Sequence, residues 1–127
     1  MGESWINRKL RLQVAERATY RCEYCQIAES DTFFGCEVDH IISEKHGGPS
    51  TLENLAYSCA TCNRAKGTDI AGLDDDGKIA PLFNPRTDVW LHHFRRDGPL
   101  IIPLTSKSQA TVRLLRLNAP ERQDERI

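Results

Sequence analysis

The chain has 127 residues, with 17 Lys+Arg against 18 Asp+Glu, a formal net charge of −1 and 39% apolar residues. That length fits one domain with a modest core and excludes a doubly wound enzyme with a separate substrate domain. Near-neutral charge excludes a binder that coats nucleic acid through bulk positive charge, though a local basic patch remains open.

Met1–Leu10 carries Glu3, Arg8 and Lys9 and no apolar run, so no secretory leader is expected there. From Ile6 to Tyr20, Leu10, Val14 and Ala18 recur four apart with Arg8, Arg11 and Arg17 on other faces, which predicts an amphipathic helix. It runs into the first of two C-x-x-C pairs, Cys22/Cys25. Phe33 to Ile42 is β-prone and loosely alternating, a short strand after a loop. Gly47-Gly48-Pro49 marks a turn, and Ser50-Thr51-Leu52-Glu53 has the spacing of a capping box that opens one helical turn. Asn54 to Tyr57 reads as a second short strand. Ser58 then stands where a cap is wanted, ahead of a helix over Cys59–Lys66 that Gly67 ends.

Asp69 to Pro85 reads as a loop or linker, and its Asp74-Asp75-Asp76-Gly77 run fails as a calcium loop. Aligning Gly77 with the invariant glycine puts Gly72 at the first ligand position and Phe83 at the bidentate one. Asn84-Pro85 predicts a helix start, with Val89, Trp90, His93 and Phe94 on the core face that follows. Leu100–Leu104, with Pro at both ends, predicts an edge strand or an isolated extended segment, and it is too short to span a bilayer. Thr111–Leu117 is the last helical pattern, stopped by Asn118 and Pro120, and the polar last seven residues are expected to fray.

Five cysteines fit a disulfide framework poorly, so a soluble, reducing, cytoplasmic setting is expected. Cys22, Cys25, Cys59 and Cys62 can place four thiolates around one tetrahedral Zn²⁺, with Cys36 a small buried bystander. The competing reading, a thioredoxin-type dithiol, lacks a βαβ unit to host it. On the predicted helix, Cys59, Cys62, Asn63 and Lys66 share one face, so zinc fixes where the Asn63 amide points. Asp39 and His40 serve one site if His40 lies at the strand end and the backbone bends there.

The run Cys22-x-x-Cys25, Val38-Asp39-His40-Ile41, Gly47-Gly48, Asn54-Leu55, Ser58-Cys59-x-x-Cys62-Asn63-x-x-Lys66 resembles the HNH endonuclease family, the ββα-metal or His-Me finger nucleases. It is similar to the zinc-stapled branch with an HNN-type signature, and covers roughly Arg17 to Gly67. Pro81–Pro85 through Trp90, His93-Phe94 and Ala110–Leu117 resembles the C-terminal extension of bacterial stand-alone members. The resemblance implies an α+β fold: a small ββα-metal core with a CxxC…CxxC zinc site, flanked by N-terminal and C-terminal helices. It implies a single nuclease domain over 1–127, with the core at about 17–67 and a helical extension at about 84–120.

In such nucleases the His beside the Asp is the general base, so His40 takes a proton from the water that attacks the scissile phosphorus of a DNA substrate. Asp39 and Asn63 hold the catalytic cation, Mg²⁺ or Mn²⁺, in addition to the structural Zn²⁺. Asn54 joins the catalytic set by holding the loop and the His40 backbone, and Lys66 and Arg64 touch phosphates. His46 either reaches a phosphate or the metal site, or stands in solvent, and His92-His93 is read as packing and solvent. The alternative is a non-catalytic zinc-ribbon-like module that binds nucleic acid or protein. No membrane partner is expected, and the oligomeric state stays open.

Charge divides unevenly, +3 over 1–21, −6 over 22–58, +2 over 59–67, −3 over 68–85 and +3 over 86–127. The N-terminal helix, with Arg8, Lys9, Arg11, Arg17 and Arg21, and the C-terminal one, with Arg113 and Arg116, are expected to hold the DNA backbone around an acidic, cation-recruiting centre.

Overall fold

The computed structural model describes residues 6–127, so the leader reading falls partly on residues 1–5, outside the described residues. The first helix, α1 (Arg8–Arg17), is capped by Asn7, whose side-chain oxygen accepts from the Leu10 N–H at 2.8 Å. Its apolar stripe buries Val14 and Ala15 and half-buries Leu10 and Ala18 against Leu55 and Tyr57.

Those two partners lie on β2 (Leu55–Cys59), which pairs antiparallel with β1 (Cys36–His40) from Cys36↔Cys59 to His40↔Leu55. Side chains alternate across a strand. Val38, Leu55 and Tyr57 therefore meet α1, while Glu37 and Asp39 lie on the other face, towards α2 (Ala60–Lys66). The order β1, β2, α2 is the ββα unit expected from the motifs, and every residue of β2 is buried.

Three local readings change. The Ser50–Glu53 capping box is not formed: a 3-10 turn over Leu52–Asn54 follows Thr51 without a side-chain cap, and the Ser50 hydroxyl meets His40 instead. Ser58 does not cap α2 either. The strand runs on through Cys59, whose sulfur accepts from the Cys62 N–H at 3.4 Å, while the Ser58 hydroxyl is buried on the Cys59 carbonyl. Residues 69–85 are not a linker, because β3 (Ala71–Leu73) and β4 (Ile79–Pro81) form a hairpin under α4 (Ser106–Leu114). The turn between them is set by Asp74, whose carboxylate accepts from the Asp76 and Lys78 N–H groups at 2.9 and 3.0 Å.

The helix predicted after Asn84-Pro85 shrinks to one turn, α3 (Trp90–His93), because Asn84 and Asp88 close a turn of their own. Phe94 already begins β5 (Phe94–Asp97), which pairs with β6 (Leu100–Pro103), so the Pro-flanked segment has a partner strand. The last long helix starts earlier than predicted, on a capping box between Thr105 and Ser108. Beyond Asn118, α5 (Pro120–Asp124) forms where fraying was expected, and buries Arg122. No helix among the described residues is long and apolar enough to cross a membrane.

The main core joins the four cysteines, Tyr24, Ile27 and Ile41 to Phe83, Phe94, Ile101, Leu115 and Leu117. The C-terminal half is thus packed directly onto the cysteine centre. Asp88 fastens this half: it accepts from the Asn84 N–H at 2.9 Å and pairs with Lys107 at 2.9 Å. Burial works to raise the Asp88 carboxyl, but the bonds from Asn84 and Lys107 outweigh it and hold its pKa below the usual value. Its stabilising effect is therefore present above the unfolded-state pKa and lost as pH falls through the lowered one. Asp88→Asn is expected to cost about 1 kcal/mol at neutral pH. Urea melts should show the difference vanishing in acid.

Candidate metal centre and active site

The two C-x-x-C pairs come from different places. Cys22 and Cys25 sit on the turn after α1, and Cys59 and Cys62 on the β2–α2 junction. The turns mirror one another, since the Cys25 N–H points at the Cys22 sulfur at 3.5 Å and the Cys62 N–H at that of Cys59 at 3.4 Å. All four sulfurs lie within 4.8 Å of one another and are buried. With Zn–S bonds of about 2.3 Å, a tetrahedron sets sulfurs about 3.8 Å apart. Cys25 and Cys59 stand at 3.8 Å.

Both the spacing and the donor set fit structural zinc. Burial pushes the Cys22 thiol up, while hydrogen bonds from the neighbouring cysteines pull Cys25 and Cys59 down, and a bound cation would hold all four as thiolates. Cys36 is outside the group, half-buried between the two cores, with its thiol pushed up to about 12 chiefly by burial and next by Glu29.

Beside this centre α2 lies along β1. The Asn63 amide donates to Glu37 Oε1 at 3.1 Å, and one helical turn later Lys66 Nζ reaches Asp39 Oδ2 at 3.5 Å and donates to the His40 carbonyl at 3.1 Å. The geometry expected of Lys66 as a phosphate contact is not observed, because its side chain is 2% exposed and turned inward. Asp39 has a raised pKa, with burial outweighing the neighbouring Lys66 ammonium. Asn63 Oδ1 has no hydrogen-bond partner among the described residues. A half-buried carboxylate that accepts from Lys66 and from the His40 backbone, and an amide oxygen with no partner among the described residues, are hard donors of the type that suits Mg²⁺ or Mn²⁺.

His40 is the last residue of β1. Its Nε2 is 2.7 Å from the Ser50 hydroxyl, which leaves Nδ1 as the ring nitrogen without a partner among the described residues. No direct hydrogen bond joins its ring to Asp39 or Asn63 among the described residues. Ser50 is the partner of His40 that its sequence spacing hid, since the helix-start pattern gave a local explanation for a long-range contact.

Asn54 is buried and saturated: Oδ1 accepts from the Ile42 N–H at 3.0 Å, and Nδ2 donates to the Ile42 and Pro49 carbonyls, both at 2.8 Å. It thereby ties both ends of the 42–49 loop, and the Ile41 N–H donates to its backbone carbonyl at 2.8 Å. Gly48 lies against this clamp, where a Cβ would stand 1.7 Å from the Ile42 oxygen and 2.7 Å from Asn54 Nδ2. Gly48→Ala must push the loop off Asn54, at an expected cost of roughly 1–3 kcal/mol. A denaturant melt checks that cost.

The cations divide into used and open. Arg17 donates to the Leu52 and Leu55 carbonyls at 2.8 and 2.6 Å, Arg11 to the Ile6 carbonyl, Arg21 to that of Gln26, and Arg113 pairs with Asp75. Arg86 pairs with Glu23, which also accepts from the Tyr57 N–H at 2.9 Å, so the first cysteine turn is bolted to β2. Arg8, Lys9, Arg64 and Arg116 are exposed without partners among the described residues. His46 is exposed on the loop, and His93 is bound to Thr105 Oγ1 at 2.8 Å and packs on Phe83.

The ββα unit thus carries Asp39-His40, the clamped Asn54 and a C-x-x-C-Asn at the start of α2, and its two cysteines converge with the pair from the turn after α1. Residues 22–69 match the HNH endonuclease family model. The matched segment spans both cysteine pairs, β1, β2 and α2. No match was found among curated proteins or solved structures. Everything after residue 69, including the half that packs on the cysteine centre, lies outside the HNH match.

Proposed function

We propose that the chain is a metal-dependent DNA endonuclease that hydrolyses phosphodiester bonds, with His40 as general base and Asp39 and Asn63 as holders of one Mg²⁺ or Mn²⁺ ion. The observation that carries this reading is the pair of hard oxygen donors, Asp39 and Asn63 Oδ1, on a ββα unit whose first strand ends at His40. When bound, the cation supplies positive charge that offsets the pentacoordinate phosphate and the leaving 3′ oxygen.

The protein's own part is orientation and proton movement. Ser50 fixes the imidazole through Nε2, so the neutral ring accepts the proton of the attacking water at Nδ1. Asn54 holds the loop that carries Ser50 in place against β1. Lys66 anchors the strand end through the His40 carbonyl rather than binding phosphate. Phosphate contact falls to the open cations Arg64, Arg8, Lys9 and Arg116, with His46 at the loop.

The test is nicking of supercoiled plasmid by the zinc-loaded full chain, with and without Mg²⁺ or Mn²⁺. Metal-dependent nicking that Asp39→Asn abolishes supports the reading. No cleavage of duplex, nicked or single-stranded DNA by zinc-loaded protein would leave the zinc-ribbon-like binding module as the function.

A further inference from the structure

We propose that Arg122, on α5, is the counter-cation of the four-thiolate metal centre, so that the metal site extends beyond the matched nuclease segment to the C-terminal helix. Arg122 is 2% exposed, and one of its guanidinium nitrogens donates to Cys62 Sγ at 3.0 Å and stands 3.9 Å from Cys59 Sγ. The other terminal nitrogen donates to the Leu115 carbonyl at 3.1 Å, and Nε lies 3.6 Å from Glu125. Arg126, further along, directs its guanidinium to the Pro99 and Leu117 carbonyls, so the contact with sulfur is made by Arg122.

The physical reason follows from charge. Zn²⁺ with four thiolates carries a formal charge of about −2, and here it is buried in an apolar core of Tyr24, Phe94, Leu115 and Leu117. A buried anion without a partner is strongly unfavourable, and a buried guanidinium likewise. Placed together they compensate, and the planar guanidinium can donate to sulfur and carbonyl at once. The same pairing explains why α5 exists. A five-residue helix is far too short to hold itself together. Its docking needs a tertiary anchor, and Arg122 is the buried polar one.

Two readouts on the full chain, neither requiring nuclease activity, test this. Zinc affinity is measured by competition with a chromophoric chelator, and the sulfur-to-metal charge-transfer band is recorded after loading with Co²⁺. Arg122→Met should weaken zinc binding roughly 10- to 100-fold, as loss of an outer-shell partner does. It should also move the Co²⁺ band to lower energy, because sulfur relieved of an N–H donor gives up its electrons more readily. Arg95→Met, which removes an exposed cation without side-chain partners among the described residues, should change neither. Arg122→Lys preserves the buried charge if the Met variant fails to fold, and should shift the band in the same direction by less. Unchanged zinc affinity and an unmoved band in the Arg122 variants would overturn the proposal, as would a wild-type chain that binds neither metal.

Discussion

His40→Ala is expected to lower the rate of plasmid nicking by about 10²–10⁴, the range a positioned general base contributes, while leaving the fold intact. The second half of that expectation rests on position. His40 ends β1, is half-buried, and among the described residues its ring makes one hydrogen bond, to Ser50. Truncating it leaves the β1–β2 register and the Lys66 contact to its backbone carbonyl unchanged. Ser50→Ala should fall short of this loss, because the imidazole remains and only its orientation is released. The pH profile separates the two roles. Loss of activity in acid that comes from protonating the general base should be absent from the residual rate of His40→Ala and still present in Ser50→Ala, where the ring remains. A His40→Ala protein that nicks as fast as wild type would remove the general-base assignment.

Zinc removal is expected to unfold the chain rather than loosen one knuckle. Structural zinc at four cysteines contributes about 10–16 kcal/mol of apparent binding free energy, against a total stability of about 5–15 kcal/mol for an ordinary domain. The sulfurs also sit in one core with Phe83, Phe94, Ile101 and Leu115. The loss therefore spreads into the C-terminal half. A zinc-selective chelator, or Cys62→Ser, should abolish the cooperative thermal transition followed by circular dichroism. Acid should act in the same direction, because protons compete with the metal for thiolate, so zinc-dependent stability falls as pH falls. Persistence of a cooperative transition in chelated protein would show that the sulfurs pack as ordinary thiols.

Parts of the molecule were legible from residue order because the signal and the structure are both local. The four-residue spacing of Leu10, Val14 and Ala18 gives the buried stripe of α1, and the paired C-x-x-C motifs give the cysteine centre. The Asp39-His40, Asn54 and Asn63 order reads as one unit because these residues lie in sequence on one ββα hairpin and helix, β1, β2 and α2. Elsewhere a local cue pointed to the wrong local structure. Asn84-Pro85 looks like a helix start, yet its turn closes on Asp88, and the Pro-flanked Leu100–Pro103 segment finds β5 as a partner. The Asp74–Gly77 cluster reads as loop, and is in fact a hairpin turn whose strands are held from outside by α4.

The division between the two levels is clearest in the charges. Sequence by itself determined the donor types: four sulfurs for zinc, an Asp, a His and an Asn for the proposed second site, and basic flanks around an acidic centre. Tertiary structure alone decided which charges are available. Lys66 and Arg17, adjacent in pattern to the motifs that suggest phosphate contact, are turned onto backbone carbonyls, and Arg122, in a tail whose composition reads as frayed, is buried on sulfur. Residue order carries chemical type. Whether a long cationic side chain faces water, a carbonyl or a thiolate depends on what the folded chain brings within a few ångströms of its tip.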